Sequence, residues 1–264
     1  MSSIELCIED GLARLTLANP ERKNALSTAM VAELIDALTA LRRNPEVRAL
    51  LLSGAGGAFC SGGDVGSMGG TPEAGAVRMR MAETNRLLAA LADFDRPVVA
   101  LVDGVAYGAG FSLALAADFV IASERARFCM AFARIGLVPD LAASWLLPRL
   151  VGMQRAREIL YSAREIGAAE AVQLGIALES HPGERASERA EELARALARM
   201  SPPAFAMSKR LLARSFENDL ATQLDAEAAA QAVALTSGYV KEASGRFLRK
   251  EAPLYQWPTP RNDE

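Results

Sequence analysis

"VDGVAYGAGFSLALAADFVIAS", residues 102–123, decides the fold. From Pro97 to Ser123 almost every residue is apolar. A membrane-spanning helix needs about 20 such residues. The glycines argue for something else: Gly104, Gly108 and Gly110 fall within seven residues, just after the β-branched run PVVALV. That pattern reads as strand, Gly-rich turn, short helix over 110–116, then a second strand, DFVIA. Asp103 and Asp118 put a carboxylate near each end, which fits a buried core element and no membrane span.

Outward from that stretch, the same unit recurs. IELCIE and LARLTLA flank Asp10-Gly11, a strong hairpin signal. The polar loop NPERKNALS follows, and Ser27 or Thr28 can cap a helix whose apolar positions are Met30, Leu34, Leu38 and Leu41. Asn44-Pro45 stops it. VRALLLSG is then a continuous apolar strand, as in a parallel sheet buried on both faces. It runs into a second Gly-rich turn, GAGGAFCSGGDVGSMGG, with a helix over 76–92 beyond it. The later chain reads as helices over 153–161, 168–175, 184–200, 203–217, 219–237 and 239–250. The polar, Pro-containing stretch Met200-Ser201-Pro202-Pro203 divides an α/β core, residues 1–200, from a helical region, residues 201–264.

Composition narrows the function. The 264 residues are 51% hydrophobic, ample for a core, and the net charge of −3 gives no basic field for nucleic acid. MSSIELCIED has neither the basic nor the apolar part of a secretory leader, so a cytoplasmic protein is expected. Cys7, Cys60 and Cys129 have no metal spacing and read as reduced thiols. His181 is the single histidine, beside a Pro-Gly turn. Neither a zinc site nor a Ser-His-Asp triad is predicted. The Gly-rich turns lack the Walker Lys-Ser/Thr and the dinucleotide Gly-x-Gly-x-x-Gly.

Two Gly-rich turns have two readings. Glycine permits φ > 0 and close backbone approach, and many turns need only that. Alternatively, each turn presents a bare N–H, and a helix N-terminus beyond it adds partial positive charge. Two turns facing each other then form an oxyanion hole. Each donor of such a hole is worth about 3 kcal/mol in the transition state.

At these residues the chain resembles the crotonase (enoyl-CoA hydratase/isomerase) superfamily. GAGGAFCSGGDVGSM is similar to its first oxyanion loop and PVVALVDGVAYGAGFSLALAADFVIAS to its second. NPERKNALS, RFCMAFARIGLVPD, LLPRLVG and GRFLRKEAP match in the family's order. The resemblance implies a spiral of β-β-α units forming two sheets, with C-terminal helices that build a trimer or a hexamer. It implies an acyl-CoA thioester as ligand, with coenzyme A as part of the substrate and no separate cofactor. By motif position the oxyanion amides belong to Gly63 and Ala109, Ala109 standing where the family usually has Gly.

The same resemblance exposes departures. The family's hydratases use two glutamates, and those positions hold Ser112 and Phe132. Ser112 either holds a water or packs, and Phe132 is expected on an apolar wall against the acyl group. Asp140, eight residues past Phe132, matches an Asp of the superfamily's isomerases. MAFARIGLVPD and SWLLPRLVG resemble the phenylacetate-catabolism ring-epoxide (1,2-epoxyphenylacetyl-CoA) isomerases most. One carboxylate suffices for a proton shift. Asp140 is also a good helix N-cap before LAASWLL. LAAS stands where relatives usually have a Gly-Gly pair. Lys23, Asn24 and Ala25 match the loop that contacts the adenosine part of CoA. Asp64 and Val65 match the segment after the first donor, and Lys250 could reach the CoA phosphates. An isomerase reading, a hydratase reading and a noncatalytic acyl-CoA-binding reading all remain open at this point.

Overall fold

A computed structural model describes residues 3–64, 66 and 73–259. Two strands, β1 (Ile4–Glu9) and β2 (Leu12–Leu17), form the expected hairpin. Asp10 and Gly11 both take positive φ, 49° and 80°, as a primed two-residue turn requires. Helix α1 (Thr28–Arg43) begins at Ser27, whose Oγ accepts from Met30 N at 3.2 Å. Strands β3 (Ala49–Gly54), β4 (Val98–Val102), β6 (Phe119–Ser123) and β9 (Glu179–His181) extend the sheet in the order β1-β2-β3-β4-β6-β9. Every pairing from β2 onward is parallel.

Both faces of the central strands β3, β4 and β6 are covered, which is why these strands read as apolar runs. Alternate residues serve opposite layers. Leu51, Val99 and Ile121 pack on α7 (Gly183–Leu197) through Ala186, Ala190, Leu193 and Leu197. Leu50, Leu52, Val98, Ala100 and Val102 face the main core, with Met30, Leu34 and Leu38 of α1 and Leu87 and Leu91 of α2 (Ala74–Ala92). Among the described residues no helix is long and apolar enough to cross a membrane.

The stretch 102–123 holds one more element than the sequence pattern suggests. Between β4 and the short helix α3 (Ala109–Leu115) lies β5 (Val105–Tyr107). It pairs with β7 (Arg127–Cys129), which in turn meets β8 (Ile166–Gly167), making a separate three-stranded sheet. Three residues are too few for a periodicity signal, so this strand was hidden inside the Gly-rich turn.

Helices α4 (Ala143–Val151), α5 (Met153–Ser162) and α6 (Ala168–Gln173) follow. After α7 come α8 (Pro202–Arg214), α9 (Leu220–Leu235) and α10 (Gly238–Leu248). Of these last three, α8 buries Phe205 and the other two bury no residue. Lys209 of α8 reaches Asp118 at 3.0 Å, tying this helix to the residue just before β6.

Candidate active site

Strands β3 and β4 are neighbours, and each hands its carboxyl end to a Gly-rich turn. Open parallel sheets bind ligands outside such strand ends. Main-chain bonds lock the two turns together: Phe59 N and Cys60 N both reach Val105 O, at 3.1 and 2.9 Å, and Tyr107 N reaches Cys60 O at 2.9 Å. A Cβ on Gly104 would lie 2.0 Å from Gly57 O. The glycines therefore serve the approach of one turn to the other.

Gly63 sits in an isolated parallel bridge with Leu26. Leu26 N donates to Gly62 O at 2.7 Å, and Asp64 N donates to Leu26 O at 3.3 Å. The flanking groups are thus used, and the Gly63 N–H is directed away from Leu26 by strand alternation. Across from it, Ala109 opens α3, where the first amides have no partner within the helix. Its cap, Gly108, has φ 50° and ψ −121°, a conformation open to glycine alone. Among the described residues neither Gly63 N nor Ala109 N donates to a protein acceptor. The turns meet here: a Cβ on Gly62 would stand 3.6 Å from Ala109 N.

Both amides border a cavity of about 540 Å³ that Asp64 and Asp140 also line. Its apolar walls come from Leu26, Val31 and Ile35 on one side and from Met79 and Ala82 of α2 on the other. The α2 wall was missed in the sequence. On a single chain Met79, a flexible apolar side chain, is 69% exposed at this wall. A larger cleft of about 890 Å³ lies between α7 and the C-terminal segment. None of the described site residues named above lines it, and its Glu191 is bonded to Arg14 and Arg195.

Three carboxylates line the 540 Å³ cavity, and they differ. Asp64 pairs with Arg22 at 3.1 Å, and Glu83 pairs with Arg86 at 2.8 Å. Asp140 has a buried Oδ1 with no hydrogen-bond partner among the described residues. Burial holds its carboxyl above the ordinary value, opposed by its own main-chain N–H. The alternative of Asp140 as a helix cap is corrected: α4 is capped by Ala142, in the left-handed region, and no side chain caps it.

The remaining predicted residues fall in two groups. Lys23 and Ala25 flank the Gly63 turn: Lys23 is exposed, with φ 48°, and its carbonyl accepts from Ser61 N at 2.9 Å. Asn24 is fully buried and donates to Ala55 O and Ala58 O at 2.9 and 2.7 Å, so its side chain pins the first turn and faces no ligand. Ser112 is fully buried and Phe132 nearly so. Neither lines the cavity, and Phe132 packs in the core beneath Gly108, 3.8 Å from where a Cβ would sit. Lys250 is exposed past the end of α10 and does not line the cavity either. Val65 lies outside the described residues. Cys60 lies buried under the turn, where burial pushes its thiol up to about 12 and keeps it neutral at pH 7. His181 is bonded to Glu179 at 2.8 Å, away from the cavity lining. Among the described residues no cluster of His, Cys, Asp and Glu could hold a metal ion.

The fold and cavity define a protein of stacked strand-turn-helix units with a ligand cleft at the carboxyl ends of parallel strands. A family profile described as enoyl-CoA hydratase/isomerase matches residues 7–258. The chain belongs to the enoyl-CoA hydratase/isomerase family, of the crotonase superfamily. It is 36% identical to a 1,2-epoxyphenylacetyl-CoA isomerase of Escherichia coli, covering 94% of this chain and 96% of that one. It is 42% identical to a protein of Rhodobacter capsulatus named "Probable enoyl-CoA hydratase", covering 94% and 95%. The crystal structure of an enoyl-CoA hydratase/isomerase from Cupriavidus metallidurans superposes with a TM-score of 0.93 at 35% identity, covering 98% of each chain.

Proposed function

We propose that the chain is a cytoplasmic acyl-CoA isomerase in which Gly63 N–H and Ala109 N–H hold an enolate oxygen and Asp140 moves the proton. The observation that carries this reading is the unpartnered, buried Oδ1 of Asp140 in the cavity bordered by both amides. A general base must be free to accept a proton, and a raised pKa makes it a stronger one. Asp64 and Glu83 are each bonded to an arginine.

On vinylacetyl-CoA the step balances with one carboxylate. Asp140 takes a proton from Cα, and the electron pair passes into the thioester carbonyl, whose oxygen takes the charge. The two amides stabilise that oxygen. Protonated Asp140 then delivers its proton to Cγ, the double bond moves into conjugation, and the carboxylate is regenerated. Hydration would need an acid and base at the positions of Ser112 and Phe132, and neither side chain is an acid or lines the cavity.

The CoA portion is assigned to the rim beside Lys23, Ala25 and Asp64, so no cofactor beyond the substrate's own coenzyme A enters the reading. The exposed apolar faces of α8–α10, including Leu212, Leu224 and Phe247, support assembly into a homotrimer or a hexamer. The test is incubation with vinylacetyl-CoA, crotonyl-CoA and phenylacetyl-CoA in deuterated water. Deuterium entering at Cα or Cγ, with vinylacetyl-CoA converting to crotonyl-CoA, is the expected result. Hydroxyacyl-CoA as the main product, or no exchange with any of the three, contradicts the reading.

A further inference from the structure

We propose that Ser112 is a positioning residue that fixes the base relative to the oxyanion amides; this rests on the proposed role of Asp140. Ser112 Oγ lies 3.1 Å from the main-chain carbonyl oxygen of Asp140 and 3.3 Å from Gly108 O. The same Asp140 carbonyl accepts from Ala143 N at 3.0 Å. The peptide that carries the base is therefore clamped from two helices, α3 and α4.

One of those helices also carries the hole. Ala109 and Ser112 are the first and fourth residues of α3, one turn apart. A seven-residue helix with every residue buried is a rigid spacer. Its first amide faces the enolate oxygen, and its fourth side chain holds the backbone of the group that moves the proton.

The chain after Asp140 gives the clamp something to hold. Leu141 and Ala142 both have positive φ, 46° and 55°, without being glycine. L residues enter that region rarely and stay only where surrounding contacts fix them. Ser112 supplies such a contact on the carbonyl that leads into the strained pair. Without the hydroxyl the turn is free to relax, and the carboxylate leaves its alignment with Gly63 and Ala109. A misplacement of about 1 Å is enough to cost on the order of 100-fold in rate.

The experiment compares Ser112→Ala, Asp140→Asn and the double variant, using deuterium exchange into vinylacetyl-CoA and phenylacetyl-CoA. Ser112→Ala is expected to lower kcat by roughly 10- to 100-fold with KM little changed. The acid limb of its pH profile should move toward the ordinary carboxylate range as Asp140 gains water. Ser112→Thr, which keeps a hydroxyl, should recover part of the loss. In the Asp140→Asn background, Ser112→Ala should cost nothing further, because Ser112 acts through Asp140. Wild-type kcat and pH limb in Ser112→Ala, or an equal loss in the Asp140→Asn background, would overturn this inference alone. Wild-type turnover in Asp140→Asn, or no exchange by the unmodified protein, would overturn the base assignment and this inference with it.

Discussion

Gly110 of the second turn packs directly on Cys60 of the first: a Cβ there would stand 2.3 Å from the Cys60 carbonyl oxygen and 2.7 Å from its Cβ. The obstructing atom is backbone, so it cannot swing aside. Gly110→Ala should push the turns apart and cost about 3 kcal/mol, the upper range for overpacking. Exchange activity should fall more steeply than stability, because the two amides must converge on one oxygen. Thermal melts and turnover of the same sample check this.

Asn24 holds the first turn from the other side. Its amide donates to two carbonyls, and its Oδ1 accepts from Asn19 N at 2.8 Å. Asn24→Ala removes three hydrogen bonds, one buried and two part-buried, at about 1 kcal/mol each, or about 3 kcal/mol together. Loss of several degrees in Tm is expected, with weakened turnover as a consequence of a loosened Gly63. An unchanged Tm would show that Asn24 is not a pin.

The sequence carried the scaffold and the two turns but misread several inward-facing residues. The Met30, Leu34, Leu38 and Leu41 spacing in α1, the apolar runs of β3 and β4, and the Asp10-Gly11 turn are local patterns, and local geometry decides them. Asn24, Ser112 and Phe132 sit at positions matched to ligand-facing or acidic residues of relatives. Whether their side chains meet the cavity depends on how the two turns stack, which no window of sequence encodes. The Met79 side of α2 was invisible for a similar reason: its helix is weakly amphipathic, and its partner across the cavity is the start of α1.

Stability should carry the mark of Asp140. Its raised pKa means that the folded state binds the proton more tightly than the unfolded chain does. The stabilising contribution is full below the ordinary carboxylate pKa and is lost as pH rises through the raised one. Asp140→Asn has no such loss. Its Tm relative to wild type should therefore climb with pH across that window and level off above it. A constant difference at every pH would mean the carboxyl is not perturbed by burial.

Assembly should depend on the tail. Phe247 and Leu248 are 82% and 81% exposed on a single chain. Sedimentation should give a trimer or a hexamer at micromolar concentration, and Phe247→Glu with Leu248→Glu should shift it toward smaller species. A monomer for the unmodified chain would refute the oligomer.

The most direct test of the central claim is the rate of deuterium entry into vinylacetyl-CoA and phenylacetyl-CoA catalysed by Asp140→Asn beside wild type. Positioned general-base catalysis is worth about 100- to 10,000-fold, so exchange should fall by that factor. Acyl-CoA affinity, measured by calorimetry, should stay within a few-fold because the two amides are untouched. Near-normal exchange in Asp140→Asn would contradict the account, since the proton would then be moved by another group.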